Sequence, residues 1–319
     1  MEIKNTIILG DCIEVLKQFP ENSIGVCLTD PPYNYEFIGK NWDEEEIQRR
    51  VTRIQDSKTL VKNIPYGSGL AGGVRNKGWY AKNRENILDY QKWCVKWGTE
   101  LFRVCKPGAI IGVFNSTRTV AHVQVALEEA GFYARDCLVY RRTSGIPKGL
   151  NVASKLRQKG IQNAEQWEGW HSCLRNEWEA IAVLQKPLEN NYTETLLKYG
   201  IGLFHAETGN GRFLSNILEN IPRDVKDDEQ IHCTPKPLAL MERLIELFVP
   251  NNPEVLLLDP FAGSGTTLVA AKKLGRSFVG IEKNSAYVAL TQKRLGLFQS
   301  NEPISERFDT FELFQQGTS

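Results

Sequence analysis

The apolar run Ile24-Gly25-Val26-Cys27-Leu28-Thr29 stops at Asp30-Pro31-Pro32-Tyr33, and the reading of that stop decides the fold. A short run rich in β-branched residues that ends on an acid and two prolines reads as a buried strand that cannot continue, because proline has no N–H for the ladder. The acid is left at the strand's carboxyl end. In open α/β sheets that edge is where ligands bind, so a carboxylate, a stiff diproline with a free carbonyl and an aromatic ring meet at a crevice. Two acceptors for amino hydrogens and a ring to stack on are what holds a flat base with an exocyclic amine. Taken alone, Asp-Pro-Pro reads more readily as a strand followed by a plain proline turn. A stretch far downstream decides between the two.

That stretch is Val255-Leu256-Leu257-Leu258, a wholly apolar strand, followed by Asp259-Pro260-Phe261-Ala262-Gly263-Ser264-Gly265-Thr266-Thr267 and a helix through Ala271 and Leu274. A strand, a tight glycine turn and a helix N-terminus put backbone N–H groups and the helix dipole where an anionic group of a ligand can meet them. The next strand, Phe278-Val279-Gly280-Ile281, ends in Glu282. It lies about 20 residues after the glycines, the spacing at which an acid accepts hydrogen bonds from a ribose diol. The combination binds an adenosine-containing cofactor. Leu268 stands where a third glycine would complete G-x-G-x-x-G, which counts against a dinucleotide and so against an NAD-dependent oxidoreductase.

At 319 residues, with average apolar and charged fractions, the chain reads as soluble and globular, with one large domain or one and a half. Its first residues lack a signal-peptide pattern and no apolar run reaches membrane-spanning length, so a cytoplasmic protein without a membrane partner is expected. Seven cysteines, none in C-x-x-C spacing, argue against a disulfide framework and against a metal site. The net charge of +1 assigns any nucleic-acid affinity to local clusters.

In chain order, Ile7-Ile8-Leu9-Gly10 reads as a strand, Asp11 as the N-cap of a helix to about Phe19, and Ile24 to Thr29 as the next strand. From Asn34 to about Arg84 the periodicity dissolves into a glycine-rich basic loop carrying Arg75, Lys77, Lys82 and Arg84, a lid or a nucleic-acid contact. Alternation resumes with a helix over about Ile87 to Val104, a strand over Ala109 to Phe114, a helix over about Thr119 to Ala130 and a strand over Phe132 to Tyr140. A mostly parallel sheet follows. From Arg141 to about Ile231 alternation fails again. A basic run with Lys148, Lys155, Arg157 and Lys159 is followed by Trp167, Trp170 and Trp178, as in an inserted nucleic-acid-recognition segment. Thr234-Pro235-Lys236-Pro237 then starts a helix with Leu238, Met241, Leu244, Ile245 and Phe248 on one face.

The pair Asp30-Pro31-Pro32-Tyr33 and Asp259-Pro260-Phe261-Ala262-Gly263-Ser264-Gly265 resembles the catalytic and cofactor motifs of amino-methylating DNA methyltransferases that use S-adenosylmethionine. Gly10-Asp11-Cys12, His232-Cys233-Thr234-Pro235-Lys236-Pro237 and Phe278 to Asn284 fall where that family has further elements, and the catalytic motif precedes the cofactor motif, as in the β-class order. The segment Leu174 to Pro187 looks like phage and prophage members. The resemblance implies a Rossmann-like, mostly parallel α/β sheet with helices on both faces, in circularly permuted methyltransferase order. It divides the chain into a catalytic half over residues 1–141, a target-recognition segment over 142–230, a cofactor half over 231–296 and a tail over 297–319.

The implied chemistry is transfer to the N6 amine of a flipped adenine, with cytosine N4 as the alternative. Asp30 and the Pro31 carbonyl would accept the amino hydrogens and Tyr33 would stack on the base, with Pro32 stiffening the turn. Asp11, Cys12, Asp30, Thr234, Lys236, Asp259, Phe261, Ala262, Gly263, Ser264, Gly265, Thr266, Glu282 and Asn284 would form the cofactor pocket. Lys148, Lys155, Arg157, Lys159, Arg75 and Lys77 would meet double-stranded DNA. The resemblance leaves room for a cognate restriction endonuclease and for a homodimer. A C5-cytosine enzyme would need a nucleophilic cysteine, typically after a proline, and no cysteine here follows one.

Overall fold

A computed structural model describes residues 3–33, 77–142, 149–207, 209–222 and 236–296. Within them the strands are β1 (Thr6–Leu9), β2 (Ile24–Thr29), β3 (Cys105–Asn115), β4 (Tyr133–Arg141), β5 (Trp178–Gln185), β6 (Ile217–Leu218), β7 (Leu256–Asp259) and β8 (Ser277–Glu282). They form one sheet in the order β1-β8-β7-β2-β3-β5-β4-β6. Every neighbouring pair is parallel except the two that β5 makes, antiparallel to β3 and to β4. All six residues of β2 are buried, which is why the strand reads as a continuous apolar run rather than an alternation.

The helices are α1 (Cys12–Leu16), α2 (Lys77–Val104), α3 (Val120–Glu129), α4 (Val152–Gln158), α5 (Tyr192–Tyr199), α6 (Leu238–Phe248), α7 (Thr266–Lys273) and α8 (Ser285–Arg294). Asp11 caps α1 by accepting from the Ile13 N–H at 3.0 Å. Helices α1, α2 and α3 pack in a row, and α6 packs on α7. Leu240, Met241, Leu244, Ile245 and Phe248 give α6 its buried face. A side chain at Gly112 of β3 would meet Leu28 and Phe248 at 3.0 Å, so α6 seats directly on the strand pair β2–β3.

Two segments differ from the sequence reading. Helix α2 begins at Lys77, ten residues before the expected start, so the last part of the expected 34–84 loop is helical. Its first turns are charged and carry no apolar period, and the buried Tyr90, Cys94, Trp97 and Leu101 anchor the helix further on. The expected 142–230 segment supplies β5, which lies inside the sheet between β3 and β4. It also supplies β6 at the sheet's edge; among the described residues the part before Trp178 is one excursion outside the sheet and the part between Gln185 and Ile217, with α5, is another. Residues 34–76 and 297–319 lie outside the described residues.

The topology places the site. Strands β2 and β7 are neighbours, with Val26 beside Leu257 and Cys27 beside Leu258, although Thr29 and Asp259 at their ends lie 230 residues apart along the chain. Chain direction across the sheet reverses between them, from β2 towards β3 and from β7 towards β8. Such a switch point opens a crevice at the carboxyl ends. Leu9 pairs with Glu282 on β1 and β8, so Asp11, Asp30 and Glu282 share that edge with the glycine turn after Asp259.

Candidate active site

Asp259 ends β7 and is buried. Its Oδ1 accepts from the Thr29 hydroxyl at 2.6 Å and the Phe261 N–H at 3.1 Å, and its Oδ2 accepts from the Thr267 hydroxyl at 2.6 Å. The carboxylate therefore ties β2, the glycine turn and α7 together from beneath the crevice. Burial pushes its pKa up to about 6, against three hydrogen bonds that act downward. A raised carboxyl pKa favours the protonated folded form, so this group's contribution to stability is lost as pH rises from about 4 through about 6. Asp259→Asn should therefore gain on the parent protein by about 3 kcal/mol between about pH 4 and pH 7, the size of a two-unit shift. Urea unfolding of both proteins at the two pH values checks this; a constant difference contradicts it.

The turn above Asp259 is built for close approach. Gly265 has φ 77°, and a side chain there would collide with Thr291 of α8. The Thr291 hydroxyl donates to the Gly263 carbonyl at 3.1 Å, and Arg294 donates to the Ser264 carbonyl and, at 3.3 Å, to Thr266 Oγ1. Among the described residues no side chain caps α7, which leaves its first N–H groups available for an anion. Glu282 Oε2 accepts from the Gly263 N–H at 2.9 Å and Oε1 from the Asn284 N–H at 2.8 Å. Those bonds use about half of a carboxylate's acceptor capacity and leave the rest for a diol. Burial, opposed by the backbone donors, holds the Glu282 carboxyl above its usual range.

Asn284 caps α8 by accepting from the Ala286 and Tyr287 N–H groups. Cys12 is buried, and Ala262, Ser264 and Thr266 are buried beside the turn, whereas Phe261 is half-buried. Trp93 and Trp97 of α2 pack on the Phe261 ring at 5.4 and 5.5 Å between centroids. This aromatic wall was not read from the sequence. A diol acceptor, uncapped helix N–H groups and an aromatic wall fit the ribose, carboxylate and sulfonium ends of S-adenosylmethionine.

At the other end of the crevice Asp30 is half-exposed, Pro31 buried and Pro32 exposed. The Tyr33 hydroxyl donates to Asp30 Oδ1 at 2.6 Å and accepts from Lys236 Nζ at 2.7 Å. Lys236 Nζ also lies 3.0 Å from Asp30 Oδ2 and 2.9 Å from Glu179 Oε2, and sits over the Phe114 ring at 4.8 Å. Arg142 Nη1 pairs with the other Glu179 oxygen at 2.9 Å. Burial works against charge on Lys236, and the Asp30 and Glu179 carboxylates outweigh it, so the ammonium titrates above its usual value. Burial likewise drives the Tyr33 phenol far upward and keeps it neutral. The structure thus places Lys236, expected with the cofactor residues, against the Asp30 carboxylate. Glu179 and Arg142 were not among the expected site residues. Thr234 lies outside the described residues.

Of the expected DNA contacts, Lys155 and Arg157 lie on α4 and Lys159 just after it, all exposed. Arg157 is paired with Glu168. Trp167 and Trp170 pack edge to face nearby, with Trp170 62% exposed. Lys148 and Arg75 lie outside the described residues; Lys77 opens α2. Among the described residues no helix is long and apolar enough to cross a membrane.

A sheet of this order, with a glycine turn and an Asp-Pro-Pro-Tyr turn meeting at its switch point, defines a nucleoside-dependent methyltransferase site. The DNA methylase model for N6 and N4 methyltransferases matches residues 24–293, and the chain belongs to that family of S-adenosylmethionine-dependent DNA methyltransferases. Type II methyltransferase M.HindIII of Haemophilus influenzae is 32% identical over 303 residues, covering 92% of this chain and 95% of the relative. TTHA0409 of Thermus thermophilus, solved with S-adenosyl-L-methionine, shares the fold at TM-score 0.54 and 22% identity, covering 92% and 93% of the two chains. The PvuII DNA methyltransferase, cytosine-N4-specific, does so at TM-score 0.55 and 16% identity, covering 93% and 87%.

Proposed function

We propose that this DNA methyltransferase modifies the N6 amine of adenine, extruded from double-stranded DNA at a fixed sequence. The observation that carries the reading is the carboxylate of Asp30 at the switch point, beside the buried Pro31 and the ring of Tyr33. Adenine's exocyclic nitrogen is a poor nucleophile because its lone pair is delocalised into the ring. Asp30 and the Pro31 carbonyl accept its two hydrogens and favour a pyramidal nitrogen, Tyr33 supplies a face for the base, and Asp30 takes the proton that the amine gives up. Glu282 and the first N–H groups of α7 hold S-adenosylmethionine, which when bound supplies an electrophilic methyl group.

The second reading, cytosine N4, is supported by the likeness to the PvuII fold. Against it stands the anionic Asp30, at a position where that class more often carries serine. Nucleoside mass spectrometry of DNA from cells making the protein separates them: N6-methyladenine supports the first and N4-methylcytosine overturns it. The Type II relative favours a cognate restriction endonuclease for the same sequence.

We further propose that the excursion before β5 reads the DNA. Phosphate contacts change affinity uniformly, and each lost contact lowers the salt slope by about 0.9. Replacing Lys155, Arg157 and Lys159 by alanine should lower the slope of log affinity against log salt by about 2 to 3. An unchanged slope in a fluorescence-anisotropy titration places the DNA elsewhere.

A further inference from the structure

The ion-pair row Asp30–Lys236–Glu179–Arg142 joins the turn after β2, the start of α6, β5 and the end of β4. Lys236 is 12% and Glu179 16% exposed at the side chain, so these charges are held with little help from water. Both oxygens of the catalytic carboxylate are engaged, Oδ1 by the Tyr33 hydroxyl and Oδ2 by the Lys236 ammonium. An incoming base amine must compete with both. An ammonium with Asp30 as its only anionic partner, out of water, would give it up at high cost, because a buried charge left without its counterion is strongly disfavoured. Here a second carboxylate lies as near to Lys236 as the first, 2.9 Å against 3.0 Å. Arg142 anchors that second carboxylate from its far oxygen.

We propose that Glu179 is a positioning residue for methyl transfer: by giving Lys236 a second carboxylate, it lets the ammonium release Asp30 to the amine of the base. The inference rests on the reading of Asp30 as the acceptor of the amino hydrogens. It assigns a role to a strand residue far along the chain from the catalytic motif, one that touches no reacting atom. Among the described residues, the groups facing Lys236 are Asp30 and Tyr33 after β2, Glu179 on β5 with Arg142 behind it, and the Phe114 ring on β3. Of these only Asp30 and Glu179 are anionic, because Tyr33 stays neutral. Removing the Glu179 charge therefore leaves Asp30 as the sole anion beside Lys236 among the described residues.

The test is a double-mutant cycle on the full chain, read as single-turnover methylation of duplex DNA with radiolabelled S-adenosylmethionine, with calorimetric cofactor affinity as the check on folding. Glu179→Gln should slow transfer about tenfold or more, with cofactor affinity unchanged, since a shared charge within hydrogen-bond reach is lost. Lys236→Met should retain transfer above the floor set by Asp30→Ala. In the Lys236→Met background, Glu179→Gln should cost less than about twofold, because there is no ammonium left to share. A support role for β5 alone would give equal losses in both backgrounds and overturns the inference, as does Lys236→Met at the floor or Glu179→Gln at the parental rate. Should Glu179→Gln fail to bind cofactor, Glu179→Asp serves in its place. It keeps the charge but withdraws it by one methylene, and must slow transfer only when Lys236 is present. Normal transfer by Asp30→Ala would instead sink the reading of the site itself, which separates the two failures.

Discussion

Asp30→Ala is expected to lower methyl transfer by at least about a hundredfold while S-adenosylmethionine still binds, the usual cost of removing an electrostatic contact made at the reacting centre. The carboxylate is the charged acceptor within the proposed base-binding turn, and the groups proposed to hold the cofactor, on Glu282, the glycine turn and α7, are not among its hydrogen-bond or ion-pair partners in the described residues. The fold should survive the change. Lys236 keeps Glu179 as a counter-charge at 2.9 Å, so no buried ammonium is left unpaired. Asp30→Asn separates charge from shape, because it keeps one carbonyl acceptor and loses the anion; it should fall between the parent and the alanine variant. Radiolabel incorporation with calorimetric cofactor binding on the same preparations decides the matter. A normal rate in Asp30→Ala removes the mechanism.

The sheet and the two motifs were legible because each depends on short-range chemistry. A buried parallel strand must read as an apolar run, and Asp-Pro-Pro must end it. Strand β5 was not read as a strand and fell inside the segment expected to recognise DNA. Ala180 and Ala182 weaken the β signal, and nothing local in Trp178 to Gln185 states that the strand runs antiparallel between β3 and β4. That missing long-range fact also hid Glu179, which meets Lys236 across 57 residues of sequence. The same limit applied to Lys236. Thr234-Pro235-Lys236-Pro237 marks a helix start but not its neighbourhood, and the approach to α6 carries the lysine to the Asp30 end of the crevice. Asp259 shows the opposite case. Its position in the motif was legible, yet its burial under the turn and its three protein donors make it a brace, a role that depends on Thr29 lying beside it in the next strand.

Glu282→Ala should weaken S-adenosylmethionine binding by about 1 to 3 kcal/mol, or roughly fivefold to 150-fold in Kd. Two effects add. The proposed acceptor for the ribose hydroxyls disappears, and the Gly263 and Asn284 N–H groups lose the carboxylate that holds them at 2.9 and 2.8 Å. The second effect acts on the turn itself, since Gly263 stands between that carboxylate and Thr291 of α8. Glu282→Gln distinguishes the two. Its remaining carbonyl can keep one backbone donor and so preserve much of the turn, while the charge that strengthens bonds to a diol is gone. If the diol contact dominates, the glutamine variant should lie near the alanine variant in calorimetric affinity; if turn order dominates, it should lie near the parent. Unchanged affinity in both, or binding of NAD in place of S-adenosylmethionine, would overturn the assignment of this edge of the sheet to the cofactor.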